Sequence, residues 1–570
     1  MFGANFWRWI RTSDSFYSIN MVKRDYYVIV VIVSLFTFFT SQHCSAQGII
    51  KTEEVDIIKP YQPLLADAEK IEFKAQPARV DSNIEVLDYD VKSHLIEVPF
   101  IPAEIRAVSL PKEEVILSQD NMVKAGFGTQ LTPLIDLYLH NGASEKFSYG
   151  LNFHHLSSNG SKVDFQDFSH TGGTAFGTAY VGTTALSGSI GYDHRKNFHY
   201  AESFLDTSEF NKKLLKHTYN YVPVEVGFRN TKILKGDWDY NINLKYHNFS
   251  NVPNSSSSLQ DKENYLNFNF IVHKQIEKIH SANLEFILQN LNYRQLSFYD
   301  TTQSVFSLIP YYQLSLERLS LTAGMNLSFF NNSASFFPKL GAEYKLLGDY
   351  LIPYFGWEGG WRAATLQEIT TVNPYLNNFQ NSFSKISDIF LGVKGSYGNN
   401  FSYNIKGGFG TYTNMPFYLP DASNPAYYNV IYYANANIFK LHGEIGYKQS
   451  ERINVVLSGE TESYSLDFDD EPWGIPKSKL QLTFNYNIQN KIFAQADFFA
   501  NSGAYTIMPG DSASTHLNGR ADVNLSLTYN YKKNIAFWIA LNNITGSKNS
   551  LWYNYPTYGF QAMAGVKLMF

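Results

Sequence analysis

The chain has 570 residues, with 46 Lys and Arg against 51 Asp and Glu, and a formal charge of −5. That balance argues against nucleic-acid binding, which needs a basic face. A mean hydropathy of −0.24 excludes a polytopic helical membrane protein, which needs repeated apolar runs of about 20 residues. Charged residues make up only 17% and aromatics reach 16%. Few charges, many aromatics and no helical membrane hydropathy together fit an outer-membrane β-barrel, with aromatic girdles outside and a polar lumen inside.

In chain order, the first feature is a targeting segment. Met21-Val22-Lys23-Arg24 is a short basic start, and the apolar run Tyr26–Phe39 follows it. The small residues Cys44 and Ala46 then fit a signal-peptidase site after Ala46. Residues 1–46 therefore read as a signal peptide, with 1–20 as an over-long start before the initiator Met21. The competing readings are a retained signal anchor, for which the run is short, and lipidation at Cys44, whose preceding Ser41-Gln42-His43 lacks the usual small and aliphatic residues. Cys44 is the only cysteine, so thiol catalysis, disulfides and cysteine metal sites are not expected in the mature chain.

Residues 47–121 differ from everything after them. Pro60, Pro63, Pro77, Pro99, Pro102 and Pro111 punctuate a charged stretch with few aromatics, and each proline removes a ladder donor. We expect an extended periplasmic or lumenal segment, ordered only in part, because it has too few apolar residues to build a core. Within it the β-branched stretch Glu53, Glu54, Val55, Asp56, Ile57, Ile58 suits addition as a strand to an exposed sheet edge.

From Met122 to Phe570 apolar and polar residues alternate, the period-two signature of strands. Tyr240, Ile242, Leu244 and Tyr246 oppose Asn241, Asn243 and Lys245. Leu266, Phe268, Phe270 and Val272 oppose Asn267 and Asn269, and Leu480, Leu482, Phe484, Tyr486 and Ile488 oppose Gln481, Thr483, Asn485 and Asn487. The last run places Phe560, Ala562, Ala564, Val566, Leu568 and Phe570 on one face. A soluble sandwich alternates too, so connection length is the better discriminator. Counting back from Phe570, internal turns fall near residues 532–534, 489–490, 448–451, 398–400, 347–349, 317–318, 275–278, 233–236, 182 and 141–144, and all are short. External connections near 545–558, 502–518, 465–477, 412–435, 365–385, 249–262, 196–216 and 157–170 are long, with tight hairpins near 131 and 332. Short turns on one side and long loops on the other are a membrane-barrel pattern. The expected fold is an all-β transmembrane antiparallel barrel of about 22 strands, each roughly 11 residues long, with 20 or 24 as the neighbouring counts. The Gly359-Gly360 and Gly407-Gly408 pairs read as strand kinks that curve the sheet.

The C-terminal stretch Ile539–Phe570, with Asn542-Asn543, a loop containing Pro556 and Gly559, and a strand ending in Phe570, resembles the end of TonB-dependent receptor barrels. The stretch Gly359–Asn378 and the strands after it are similar to their mid-barrel segments. The resemblance implies an outer-membrane location, surrounding membrane lipid, and insertion by the barrel assembly machinery with Phe570 as the C-terminal signal. It also implies transport or membership of an outer-membrane complex, and a TonB-type or other periplasmic partner acting on Glu53–Ile58. The family carries a plug of roughly 130–150 residues ahead of its barrel, whereas only about 75 residues separate Ala46 from Met122. The chain therefore looks like a plug-poor variant, and the alternative reading is a passive porin-like channel. Because a barrel this wide needs filling, 47–121 is expected to lie in or below the lumen.

No G-x-S-x-G or H-E-x-x-H motif occurs, so neither enzyme activity nor a cofactor is expected. His154 and His155 are adjacent on a strand and should face opposite ways, one to the lumen and one to the rim. Asp467, Asp469, Asp470 and Glu471 lack EF-hand spacing and read as a solvated acidic loop. The Tyr-, Asn- and Trp-rich external loops, with Trp473 and Trp552, are expected to form a recognition surface.

Overall fold

The computed structural model describes residues 121–570, apart from 142–145, 161–162, 202–211, 213–214, 232–237, 254–259, 296–298, 379–380, 468–469 and 509–512. The expected leader, the proline-rich segment and the Glu53–Ile58 strand lie outside the described residues. Twenty-two antiparallel strands form one sheet. It begins with Met122–Gly128 and ends with Gln561–Met569, and these two pair with each other, Met122 opposite Met569 and Gly128 opposite Met563. Closure leaves no open edge, so the first and last strands satisfy each other's backbone groups in the lipid-facing wall. Among the described residues no helix is long and apolar enough to cross a membrane; the strands do the crossing.

The register converts alternation into two surfaces. Tyr246, Leu244, Ile242 and Tyr240 lie opposite Leu266, Phe268, Phe270 and Val272, while Asn243 meets Asn269 and Lys245 meets Asn267. The apolar face continues onto Leu284, Phe286 and Leu288, and builds the outward band that lipid covers. Above the band the outward positions turn polar: the Asn248 side chain donates to Asn264 Oδ1 at 2.9 Å. Inward positions carry charges matched across the lumen wall, such as Lys394 with Glu343 at 2.7 Å and Lys479 with Glu460 at 2.8 Å.

The expected turns recur. The hairpin at 331–332 has Asn331 and Asn332 at φ 47° and 62°, and the internal turn at 489–490 has Gln489 and Asn490 at 53° and 57°. Two adjacent left-handed residues match the right-handed twist of the flanking strands. One reversal is new. Tyr299 pairs with Gln295, so the chain turns back across 296–298, where the sequence offers no Gly, Pro or Asn to mark it. Register with the strand Ser382–Tyr397 runs unbroken through Gly359–Gly360 and through Gly407–Gly408, whereas pairing with Ser333–Tyr344 stops at Trp357, just before the first pair, and a Cβ on Gly359 would meet the Phe337 ring at 2.7 Å. That glycine makes room for a neighbouring ring.

Wall height is uneven. The six strands from Thr184 to Ser315 run 15 to 17 residues, longer than the roughly 11 a bilayer requires. The four strands around the closure run 7 to 9 residues. There Gly126 lies opposite Gly565, and Trp538 packs over them. Lys124 Nζ stands 4.4 Å from the Trp538 ring centre.

Candidate functional site

The described parts of four long loops pack together against inward-facing residues of the tall wall. The largest buried cluster joins Tyr219, Phe249 and Tyr293 of the wall to Tyr200, Leu366, Ile369, Leu376, Tyr418, Ala426, Tyr428, Trp552 and Tyr555. Those last nine residues come from four different external connections. Their aromatic rings meet edge-on or stacked, as ring quadrupoles favour. Tyr375 stacks on Tyr555 at 3.5 Å and 14°, while Trp552 meets Tyr418 and Tyr428 edge-on at 5.5 and 5.2 Å.

The loop between the strands Ile352–Ala364 and Ser382–Tyr397 sets the cap's centre. It carries a short helix, Leu366–Val372, started by Thr365, whose Oγ1 accepts from the Glu368 backbone N–H at 3.2 Å. Thr365-Leu366-Gln367-Glu368 is a capping-box spelling, so the sequence held this signal although the loop was read without a helix. Wall side chains pin the element. Glu263, with no exposed side-chain surface, accepts from the Leu366 backbone N–H at 2.7 Å and from Asn381 Nδ2 at 2.8 Å. Its other oxygen lies 3.0 Å from His247 Nε2. Arg195 donates to Thr371 Oγ1 at 3.1 Å, and Tyr219 donates to the Pro374 carbonyl at 2.8 Å. A buried carboxylate with three partners is satisfied, and removing any partner strands it.

The loop before the last strand closes the other side. Gln166 and Tyr200 both donate to the Pro556 carbonyl, at 2.7 and 3.0 Å, and Tyr555 donates to the Ala426 carbonyl. Burial pushes the Tyr375 hydroxyl well above its usual range, with Tyr200 and Tyr555 adding to it, so this centre stays uncharged at any physiological pH.

One expectation changes here. Trp473 and Trp552 are 4% and 6% exposed: they are core residues of the cap and not a recognition surface, because each indole is large enough to bridge two loops. The acidic loop is largely self-satisfied. Asp467 accepts from Asn435, Asp470 from Tyr433 at 2.6 Å and Glu471 from Lys477 at 2.9 Å, while Asp469 lies outside the described residues. His154 and His155 split as expected: His154 meets Asp136 at 2.5 Å on the lumen face, and His155 meets Thr171 at 2.7 Å on the outer one. Among the described residues no group of three His, Cys, Asp or Glu is placed to hold a metal. Phe570 follows the last strand, with its side chain 59% exposed and its backbone N–H donating to the Asn121 carbonyl at 3.0 Å.

No protein-family model matches the sequence, and no curated protein matches it either. Solved structures do match. The FrpB iron transporter from Neisseria meningitidis superimposes with a TM-score of 0.61 at 10% identity, over 79% of this chain and 81% of that one. The siderophore receptor PirA from Acinetobacter baumannii gives 0.61 at 10% identity, over 79% and 80%. A ferric enterobactin receptor, PfeA, from Pseudomonas aeruginosa gives 0.60 at 11%, over 79% and 81%. At such identities the likeness is one of fold: the chain shares with these structures the closed antiparallel barrel, here of 22 strands.

Proposed function

We propose that this barrel is a receptor-like transporter of the outer membrane, closed outside by its own loops and worked from the periplasm through Glu53–Ile58. The observation that carries the reading is the cap: a barrel whose mouth is spanned by a packed, hydrogen-bonded aromatic core is not an open pore. A passive channel has no use for a buried Glu263 latch or for stacked tyrosines across its entrance. The structural neighbours are named for iron, siderophores and ferric enterobactin, and ferric chelates are the first solutes to test. Phe570 retains its proposed role as the mark read by the assembly machinery.

Deleting Thr52–Pro63 tests the periplasmic half. The shortened chain should insert normally, with the heat-modifiable gel mobility of a folded barrel, and should lose uptake. Uptake that persists at the wild-type rate would reduce the segment to a tether. Planar-bilayer recordings of the purified full chain separate the alternative: steady large conductance would identify a passive channel.

A further inference from the structure

The cap contains a second buried feature that its closure does not explain. His199 opens the loop after the strand Thr184–Phe198, and His217 sits on the next strand near its loop end. Their exposures are 1% and 5%. The rings meet edge-on at 3.9 Å, and His199 also packs against Tyr427 at 4.4 Å and Tyr375 at 6.2 Å. Among the described residues both ring nitrogens of His199, and Nδ1 of His217, have no hydrogen-bond partner, while Asn251 supports His217 by a side-chain hydrogen bond. Three loops therefore converge on two imidazoles, of which His199 is held without hydrogen-bond compensation and His217 with only part of it, an arrangement that costs free energy and that core packing alone would fill with Phe or Leu.

Among the described residues no carboxylate forms an ion pair with either ring. Tyr375 and Tyr427 face the pair from the loops, and Tyr219 lies 6.4 Å from His217 on its own strand. The charged groups nearby are already paired: Arg195, 5.6 Å over Tyr219, lies 3.4 Å from Asp193, and Lys212, 5.2 Å over Phe198, lies 2.9 Å from Asp167. Asp261 is linked to the pair through Asn251, which donates to it at 3.2 Å. A proton on either ring would be buried beside a second imidazole, with no carboxylate of the described residues in contact.

We propose that the His199–His217 pair is an acid-sensitive release for the external cap, holding the loops together while both rings are neutral and parting them when either ring is protonated. The device belongs to the cap and does not depend on what the barrel carries. Burial, and then His217, hold the His199 imidazole well below its ordinary range. In a parted cap each ring returns to an ordinary value near 6.5. The closed state therefore keeps its full advantage above about pH 6.5 and loses it as pH falls, by up to about tenfold per pH unit per ring. At pH 5 that is about 30-fold for one ring. Asp421, which orders the neighbouring turn by accepting from Ser423 and Asn429, is held down to about 2, so that turn does not titrate in this window.

Hydrogen exchange on the full-length protein in detergent reads the release directly. Deuterium uptake is followed by mass spectrometry in peptides covering 365–376 and 424–430 at pH 7.5, 6.0 and 5.0, corrected for intrinsic rates with the unfolded chain. Protection should fall by at least tenfold between pH 7.5 and 5.0 in the native sequence, while strand peptides such as 284–290 stay protected. In the double variant His199→Phe with His217→Phe, which keeps the edge-on rings and removes the titration, protection should become independent of pH. Unchanged protection of the native cap at pH 5.0, or an equal loss in the double variant, would overturn the proposal. Should the double variant be open already at pH 7.5, His217→Gln alone is read instead: a shallower pH slope supports the release, and an unchanged slope overturns it.

Discussion

The barrel wall and the loop cap are stabilised by different interactions. The wall is held by backbone ladders closed on themselves, so its identity depends on period-two alternation and little on which apolar residue fills each outward position. Tyr246, Leu244 and Ile242 face Leu266, Phe268 and Phe270, and most apolar exchanges among them should be tolerated. The cap is held by side chains. Trp552 spans Tyr418 and Tyr428, Glu263 holds a helix N-terminus and Asn381, and each contact joins residues far apart in sequence. The wall is thus expected to be robust and redundant, and the cap specific and separable.

The largest effect should come where the wall itself becomes specific, at its closure. A Cβ on Gly565 would lie 2.0 Å from the Ala125 carbonyl oxygen and 2.6 Å from the Gly126 Cα, both of them backbone. Gly565→Val should prevent the first and last strands from pairing and abolish the heat-resistant folded band on gels. A normally folded Gly565→Val barrel would mean that the closure is looser than the register implies. Next comes Trp552→Ala, which empties the centre of the cap at a cost of about 3–5 kcal/mol to the cap alone. Loop peptides should lose exchange protection while the folded band survives. Glu263→Gln should act in the same direction more mildly, by about 1–3 kcal/mol, because an amide keeps the shape but cannot accept from His247, Leu366 and Asn381 as the carboxylate does. Loss of the whole barrel in either cap variant would break the separation of wall and cap.

This division also decides what could be read from the sequence. Alternation and turn residues are local, so the strands and almost every reversal were legible. The reversal at 296–298 was not, because Gln295-Leu296-Ser297-Phe298-Tyr299 carries no Gly, Pro, Asn or Asp and only a lone Ser297 between apolar residues. The excess height of the strands between Thr184 and Ser315 was also hidden, since alternation continues above the membrane with polar outward residues. The cap was largely illegible for a physical reason. Tyr375 meets Tyr555, and Gln166 meets Pro556, and no local pattern encodes contacts of such separation. Surface-like loops rich in Tyr and Trp therefore looked like a recognition surface, although their indoles are buried. The helix start at Thr365 was the one local clue.

Thiol labelling on intact cells tests the closed mouth most directly. Ala426 and Ser423 lie three residues apart in one loop, yet Ala426 is fully buried and Ser423 is exposed. With Ala426→Cys and Ser423→Cys made separately, a membrane-impermeant maleimide should modify Ser423→Cys rapidly and leave Ala426→Cys protected until Trp552→Ala is added. Equal labelling of the two positions in the otherwise native chain would contradict a cap that seals the barrel from outside.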